Sequence, residues 1–156
     1  MKRWGIYAAV IAAALLVTKK GSAGTDIARL EPVQILGVET SAGNVVLRTD
    51  TGQYGTGESL AAAVADMKKT AGGEIFLDTA EYLLVTPSAQ KWLSELTELL
   101  RPACQVCLDS GVTDLGAAAD YLTIHVPGVT LRRYRLDACP LPVLYLKEGR
   151  MYLAEP

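Results

Sequence analysis

The sequence has little of what usually announces a chemistry: one His, one Phe and three Cys in 156 residues. Three cysteines are too few for a disulfide scaffold, which needs a denser and usually even set. Basic residues are not massed, and 15 Lys+Arg stand against 17 Asp+Glu. The chain therefore lacks the electrostatic footprint of a nucleic-acid binder, and that partner class is excluded. No apolar run reaches the ~20 residues that a perpendicular membrane span prefers, and there is no internal repeat or low-complexity tract. What is present is apolar bulk: 50% of residues are hydrophobic and 21% charged. Such a chain can offset the entropy of ordering, so a disordered protein is ruled out. At ~100–200 residues per domain the length suits one compact domain with an appended segment.

The amino terminus reads as that segment. Met1-Lys2-Arg3 precedes 14 apolar residues, 4–17, and Thr18-Lys19-Lys20 follows. A basic start and an apolar core of this length match a secretory signal. Gly21-Ser22-Ala23 offers the small residues that a signal peptidase needs, with cleavage after Ala23. Lys19 and Lys20 equally suit a short uncleaved anchor whose lysines reach the headgroups. Both outcomes place the bulk of the chain outside the cytoplasm, secreted or membrane-anchored. Residues 1–23 hold four basic groups and no acid, so their removal takes the net charge from −2 to −6. Residues 24–32 read as a linker and 33–156 as the folded domain.

Along that domain the pattern alternates. Residues 33–40 and 45–50 are β-rich runs around Ser41-Ala42-Gly43-Asn44, a turn sequence, and predict a hairpin. Leu60, Val64, Met67 and Ala71 share one helical face, and Gly72-Gly73 ends that helix. Residues 74–77 and 82–85 look like strands around Asp78-Thr79-Ala80-Glu81. Pro87 suits a helix start, and Leu93, Leu96, Leu99 and Leu100 stripe a second helix up to Arg101-Pro102. A strand over 103–108, a short helix over 114–122, and a closing hairpin of 141–147 with 151–153 complete the chain. The expected architecture is a single α/β sandwich domain with a mixed sheet, two main helices and a C-terminal β-hairpin, preceded by the N-terminal hydrophobic segment.

Four local patterns could carry chemistry. Gly52-Gln53-Tyr54-Gly55-Thr56-Gly57-Glu58-Ser59 sits between a strand and a helix like a phosphate loop, but Glu58 stands where such a loop has Lys and would repel phosphate. The bland reading makes it a turn, with Thr56 capping the helix and Glu58 facing its positive end. Asp50-Thr51-Gly52 and Asp78-Thr79-Ala80 are similar to the paired Asp-Thr-Gly signature of aspartic proteases, in which two carboxylates share a proton. The first has Arg48-Thr49 in place of an apolar pair, and the second lacks the glycine. The alternative is turn aspartates satisfied by backbone amides. Cys104-Gln105-Val106-Cys107 has redox or metal spacing on a strand, whose alternation sends the two thiols to opposite faces. A zinc site from Cys104, Cys107, His125 and Cys139, a disulfide from Cys139 to one of the pair, and inert buried thiols are the three readings. His125 lies on an apolar strand between Ile124 and Val126, where a structural imidazole is the ordinary case. None of these patterns assigns a catalytic, cofactor-binding or metal-binding residue.

The run Gly55-Thr56-Gly57-Glu58-Ser59-Leu60-Ala61-Ala62-Ala63-Val64-Ala65-Asp66-Met67-Lys68, with Gly72-Gly73-Glu74-Ile75-Phe76-Leu77-Asp78-Thr79-Ala80-Glu81-Tyr82-Leu83-Leu84-Val85, resembles the amino-terminal domain of Ger(x)C-type lipoprotein subunits of spore germinant receptors. Thr25-Asp26-Ile27-Ala28-Arg29-Leu30 sits where that family has its opening Trp-Asp and first strand. Leu99-Leu100-Arg101-Pro102 and the Ala-rich residues 114–122 continue the likeness, which spans residues 25–125. The chain departs from the family in having no Cys before Cys104, which excludes a diacylglycerol anchor, and in lacking the family's two further domains. The resemblance implies a non-catalytic envelope protein of a spore-forming bacterium, without cofactor. It would act through contacts with other envelope or membrane proteins and associate with the membrane through residues 4–17 if they are uncleaved.

Overall fold

A computed structural model describes residues 30–155. The hydrophobic segment of residues 1–23 and most of the 24–32 linker lie outside the described residues. From Leu30 the chain runs β1 (Leu30–Pro32), β2 (Ile35–Ser41), β3 (Asn44–Thr49), β4 (Tyr54–Gly57), α1 (Leu60–Thr70), β5 (Glu74–Phe76), β6 (Tyr82–Val85), α2 (Leu93–Leu99), β7 (Gln105–Ser110), α3 (Leu115–Ile124), α4 (Leu131–Asp137), β8 (Val143–Lys147) and β9 (Arg150–Ala154). Short 3-10 turns over Leu77–Thr79 and Pro87–Trp92 precede β6 and α2.

Seven strands form one mixed sheet in the order β4-β3-β2-β6-β7-β8-β9. Its middle is parallel, from β2 through β6 and β7 to β8, and each end is closed by antiparallel hairpin pairs. The α/β class and the mixed sheet are those expected. β1 lies in the segment read as a linker and pairs in parallel with β5 in a separate two-stranded ribbon.

Strand alternation sorts the core into two layers. Leu36, Val38, Val45, Leu47, Leu83, Val85 and Val106 face one side and are covered by α1, α2 and α4. Ile35, Tyr82, Leu84, Cys107 and Leu144 face the other and meet Leu115, Ala118, Ala119 and Leu122 of α3. The molecule is therefore a three-layer sandwich with four helices: the two main ones, the short one expected over 114–122, and α4, which was not expected. α4 escaped the sequence reading because Arg132, Arg133 and Arg135 are exposed and Leu131 is its buried residue.

The stretch after Thr49 also differs from expectation. Tyr54–Gly57 is the edge strand β4 rather than part of a turn, so Thr56 does not cap α1. Ser59 does, its Oγ accepting from Ala62 N at 3.2 Å. Gly55 and Gly57 are required there because α1 lies directly on β4. A Cβ on Gly57 would stand 2.6 Å from Ala62 Cβ, closer than atoms pack.

Candidate functional site

The two Asp-Thr motifs act on one segment of chain. Asp50 follows β3, and its Oδ1 accepts from the backbone amides of Gln34 at 3.1 Å and Ile35 at 3.3 Å. Thr49, next to it, is buried, accepts from Gln53 N at 3.0 Å and meets the Thr51 hydroxyl at 2.8 Å, closing the turn. Thr79 of the second motif accepts from Val33 N at 2.9 Å, and its proton has the Val33 and Phe76 carbonyls at 3.0 and 2.7 Å. Residues 33–35 are thus held from both sides as they enter β2. The carboxylates do not share a cleft. Asp50 lines a depression of about 430 Å³ with Arg48, Tyr54, Asp114 and Leu115. Asp78 is exposed and lines another of about 160 Å³ with Lys68, Glu74 and Leu99.

This arrangement makes Asp50 an amide acceptor in the fold, the turn-aspartate alternative. Asp50→Ala is expected to cost about 1–3 kcal/mol by stranding two amides. Asp50→Asn keeps an oxygen acceptor and should fall within a fraction of that. Urea midpoints of the two variants check this, and equal losses would show that the carboxylate charge matters rather than the acceptor.

The thiols do not converge either. Cys104, just before β7, is buried among the residues under α1, α2 and α4, and Cys107 on β7 is buried against α3. The expectation of opposite faces holds. Burial pushes the Cys104 thiol up to about 12, with Arg101 pulling it down and Glu81 adding to the rise. Burial, then the charges of Asp109 and Cys104, raises Cys107 to about 12 as well. A thiol so held is protonated at neutral pH and is a poor nucleophile and a poor metal ligand. All three cysteines are free, Cys139 being half-buried, so of the three readings the disulfide from Cys139 to one of the pair is not formed. Among the described residues no group of three or more His, Cys, Asp and Glu side chains is placed to hold a metal ion.

His125 is not on a strand. It follows the last residue of α3, is exposed, and its ring lies 4.3 Å from that of Tyr121, one helical turn back. The apolar run that suggested a strand is the end of α3 and the loop after it, where Ile124 is 78% and Val126 55% exposed. The glycine-bearing run of residues 52–59 is not a phosphate loop: its centre is β4, laddered to β3 from Arg48↔Tyr54 to Val45↔Gly57.

No protein-family model, curated protein or solved structure matches the chain.

What the sequence reading did not locate are surfaces. α4 presents Arg132, Arg133 and Arg135 beside Leu136, which is 72% exposed. Arg133 approaches Asp137 at 4.0 Å and the Gly128 carbonyl at 3.4 Å. Between α1 and α2 a groove of about 460 Å³ is lined by Leu60, Val64, Lys68, Glu95 and Leu99. At the edge of the sheet opposite β4, β9 carries Tyr152. In sequence the α4 residues are a contiguous run, Arg132-Arg133-Tyr134-Arg135-Leu136, while those of the groove come from two separate segments with no shared spacing. Among the described residues no helix is long and apolar enough to cross a membrane.

Proposed function

We propose that this chain is a non-catalytic interaction protein of the spore envelope, exported or anchored through residues 4–17. It takes part in germination or sporulation by binding other envelope or membrane proteins. The likeness of residues 25–125 to the first domain of Ger(x)C-type subunits supports this reading. So does the export-type amino terminus, a basic start followed by 14 apolar residues.

One observation carries it furthest: the members of the candidate catalytic pairs do not meet, and three of the four are engaged in the fold. The Asp50 carboxylate holds the amides that lead into β2, while Cys104 and Cys107 are sealed in separate layers of the core. An exported hydrolase using Asp50 and Asp78, or a thiol oxidoreductase using Cys104 and Cys107, would need those groups to face one cleft, and they do not.

Deletion of the chain from a spore-forming host is expected to alter germination or sporulation yield. Complementation with the Asp50→Asn or Cys104→Ser chain should restore it. A deletion strain with wild-type spore yield and germination kinetics would sink the proposal. So would a deletion phenotype that either point variant reproduces while its chain accumulates to wild-type levels.

A further inference from the structure

The two edges of the seven-stranded sheet are treated differently. At β4 the edge is closed: α1 is pressed onto Gly55 and Gly57, and the outward amide of Thr56 donates to Asp66 Oδ2 of α1 at 3.1 Å. At the other edge, among the described residues, no element pairs with β9 beyond β8. Unpaired strand edges are templates for further pairing unless something blunts them.

The register of β9 fixes which groups are free. β8 and β9 are joined by the two-residue turn Glu148-Gly149, both at positive φ (51° and 74°), the mirror-image turn that tight hairpins favour. In such a hairpin the residues flanking the turn, Lys147 and Arg150, exchange both backbone hydrogen bonds. Alternation then directs Arg150, Tyr152 and Ala154 toward β8 and leaves the N–H and C=O groups of Met151 and Leu153 pointing outward. The outward groups lie symmetrically about Tyr152.

We infer that β9 pairs antiparallel with β9 of a second copy of this chain, on a two-fold axis through Tyr152. Met151 bonds to Leu153 of the partner subunit, and Leu153 to the partner's Met151, so the four outward groups on each strand are satisfied by a single register. A strand pairing with itself is necessarily isologous and closes at two copies. The side chains agree with that register. Tyr152 is 39% exposed and stacks on Tyr145 across the hairpin, ring centroids 5.6 Å apart. Pairing sets it against the partner's Tyr152, extending the stack to four rings across the joined sheets, the kind of cross-strand aromatic contact that stabilises sheets. On the opposite face Leu146 is also at the surface, while Met151 and Leu153 are half-buried against the α3 layer, and pairing would set each beside its counterpart in the partner. The occupant is a second copy rather than a foreign strand because the same short sequence supplies both halves of the hydrogen-bond pattern and of the aromatic stack.

Site-directed cross-linking on the full chain, purified in mild detergent and carrying Cys139→Ser, tests this. A non-hydrogen-bonded pair on the axis has Cα atoms ~4.5 Å apart, inside the ~4.4–6.8 Å that a disulfide spans. Tyr152→Cys should therefore give a disulfide-linked dimer on mild oxidation at least tenfold faster than Tyr145→Cys. The two Tyr145 positions are separated by three strand spacings, ~14 Å. Adding Leu153→Pro, which removes an outward N–H while leaving the β8 ladder intact, should abolish the link. Tyr152→Lys, placing like charges on the axis, should convert the parent chain to single copies in sedimentation. The inference fails if Tyr152→Cys links no faster than Tyr145→Cys, or if the parent chain sediments as one copy.

Discussion

Folded at about pH 8, the chain is expected to yield one thiol, Cys139, to an aromatic disulfide reagent, and Cys104 and Cys107 only after denaturation. Thiolate is the reacting species. With both buried thiols raised from 9.0 to about 12, the fraction ionised at a given pH below 9 is lower by about three powers of ten. Access is closed as well, since neither side chain has measurable exposure. The same shift bears on stability. Below pH 9 both thiols are neutral in folded and unfolded chains, and the advantage of burying them neutral is fully present. Between about 9 and 12 the unfolded chain ionises and the folded one does not, so stability is lost as pH rises through that window. The slope is roughly 1 kcal/mol per thiol for each pH unit. Urea midpoints taken across the window should fall less steeply for Cys104→Ala/Cys107→Ala than for the parent. Three thiols reacting at one rate in the folded protein would refute the argument.

Gly55→Ala is expected to be among the most damaging single-methyl additions the domain can receive. The new Cβ would meet Met67 Cβ at 2.7 Å and Met67 N at 2.8 Å, with the Ala63 carbonyl in the same space. Two of those neighbours are backbone of α1, so relief requires the helix to lift from the sheet, not a side chain to turn. Overpacking at this level costs about 3 kcal/mol, or about 10 °C in Tm for a domain of this size. Gly43→Ala makes the useful contrast. No atom lies within 4 Å of its Cβ, and the penalty is confined to a backbone φ of +87°, about 1 kcal/mol. Parallel thermal melts of the two variants check the ordering. Equal losses would mean that α1 does not bear on β4 as closely as the structure has it.

The parts legible in the sequence are those where one side chain reports one environment. β-rich residues over 33–40 and 45–50 around the Ser41-Ala42-Gly43-Asn44 turn located the first hairpin, Leu60 and Met67 located α1, and Pro87 with the leucines after it located α2. Where a residue has two possible reasons to be present, the reading failed. Gly55 and Gly57 look like turn glycines, yet they are strand residues made small by the helix above them. His125 is flanked by apolar residues because α3 ends in exposed Ile124, not because a strand passes through. The chemistry-bearing motifs gave the same lesson. Asp50-Thr51 and Asp78-Thr79 carry the letters of a protease pair, but which hydrogen bonds they make depends on where Gln34 and Val33 lie, and no spacing encodes that. The open edge of β9 was invisible for a related reason: strand order is set by long-range pairing, not by the strand's own five residues.

That strand order bears on how the chain comes to be assembled. β3 and β4 are each laid beside the strand before; β6 then joins the opposite edge, on β2, and from there β7, β8 and β9 again follow one another outward. Growth is vectorial, and a chain leaving the ribosome or a translocation pore can add strands in the order in which they emerge. Every intermediate length presents a provisional border, and the early ones are greasy: Tyr82-Leu83-Leu84-Val85 while β6 is outermost, then Gln105-Val106-Cys107-Leu108. Such borders attract chaperones and misassembled neighbours. Arrival of β9, with Lys147 and Arg150 flanking the hairpin turn, replaces them with a border that is charged at one end. Quality control during biogenesis would therefore discriminate most sharply between chains that stop before residue 143 and chains that reach 154.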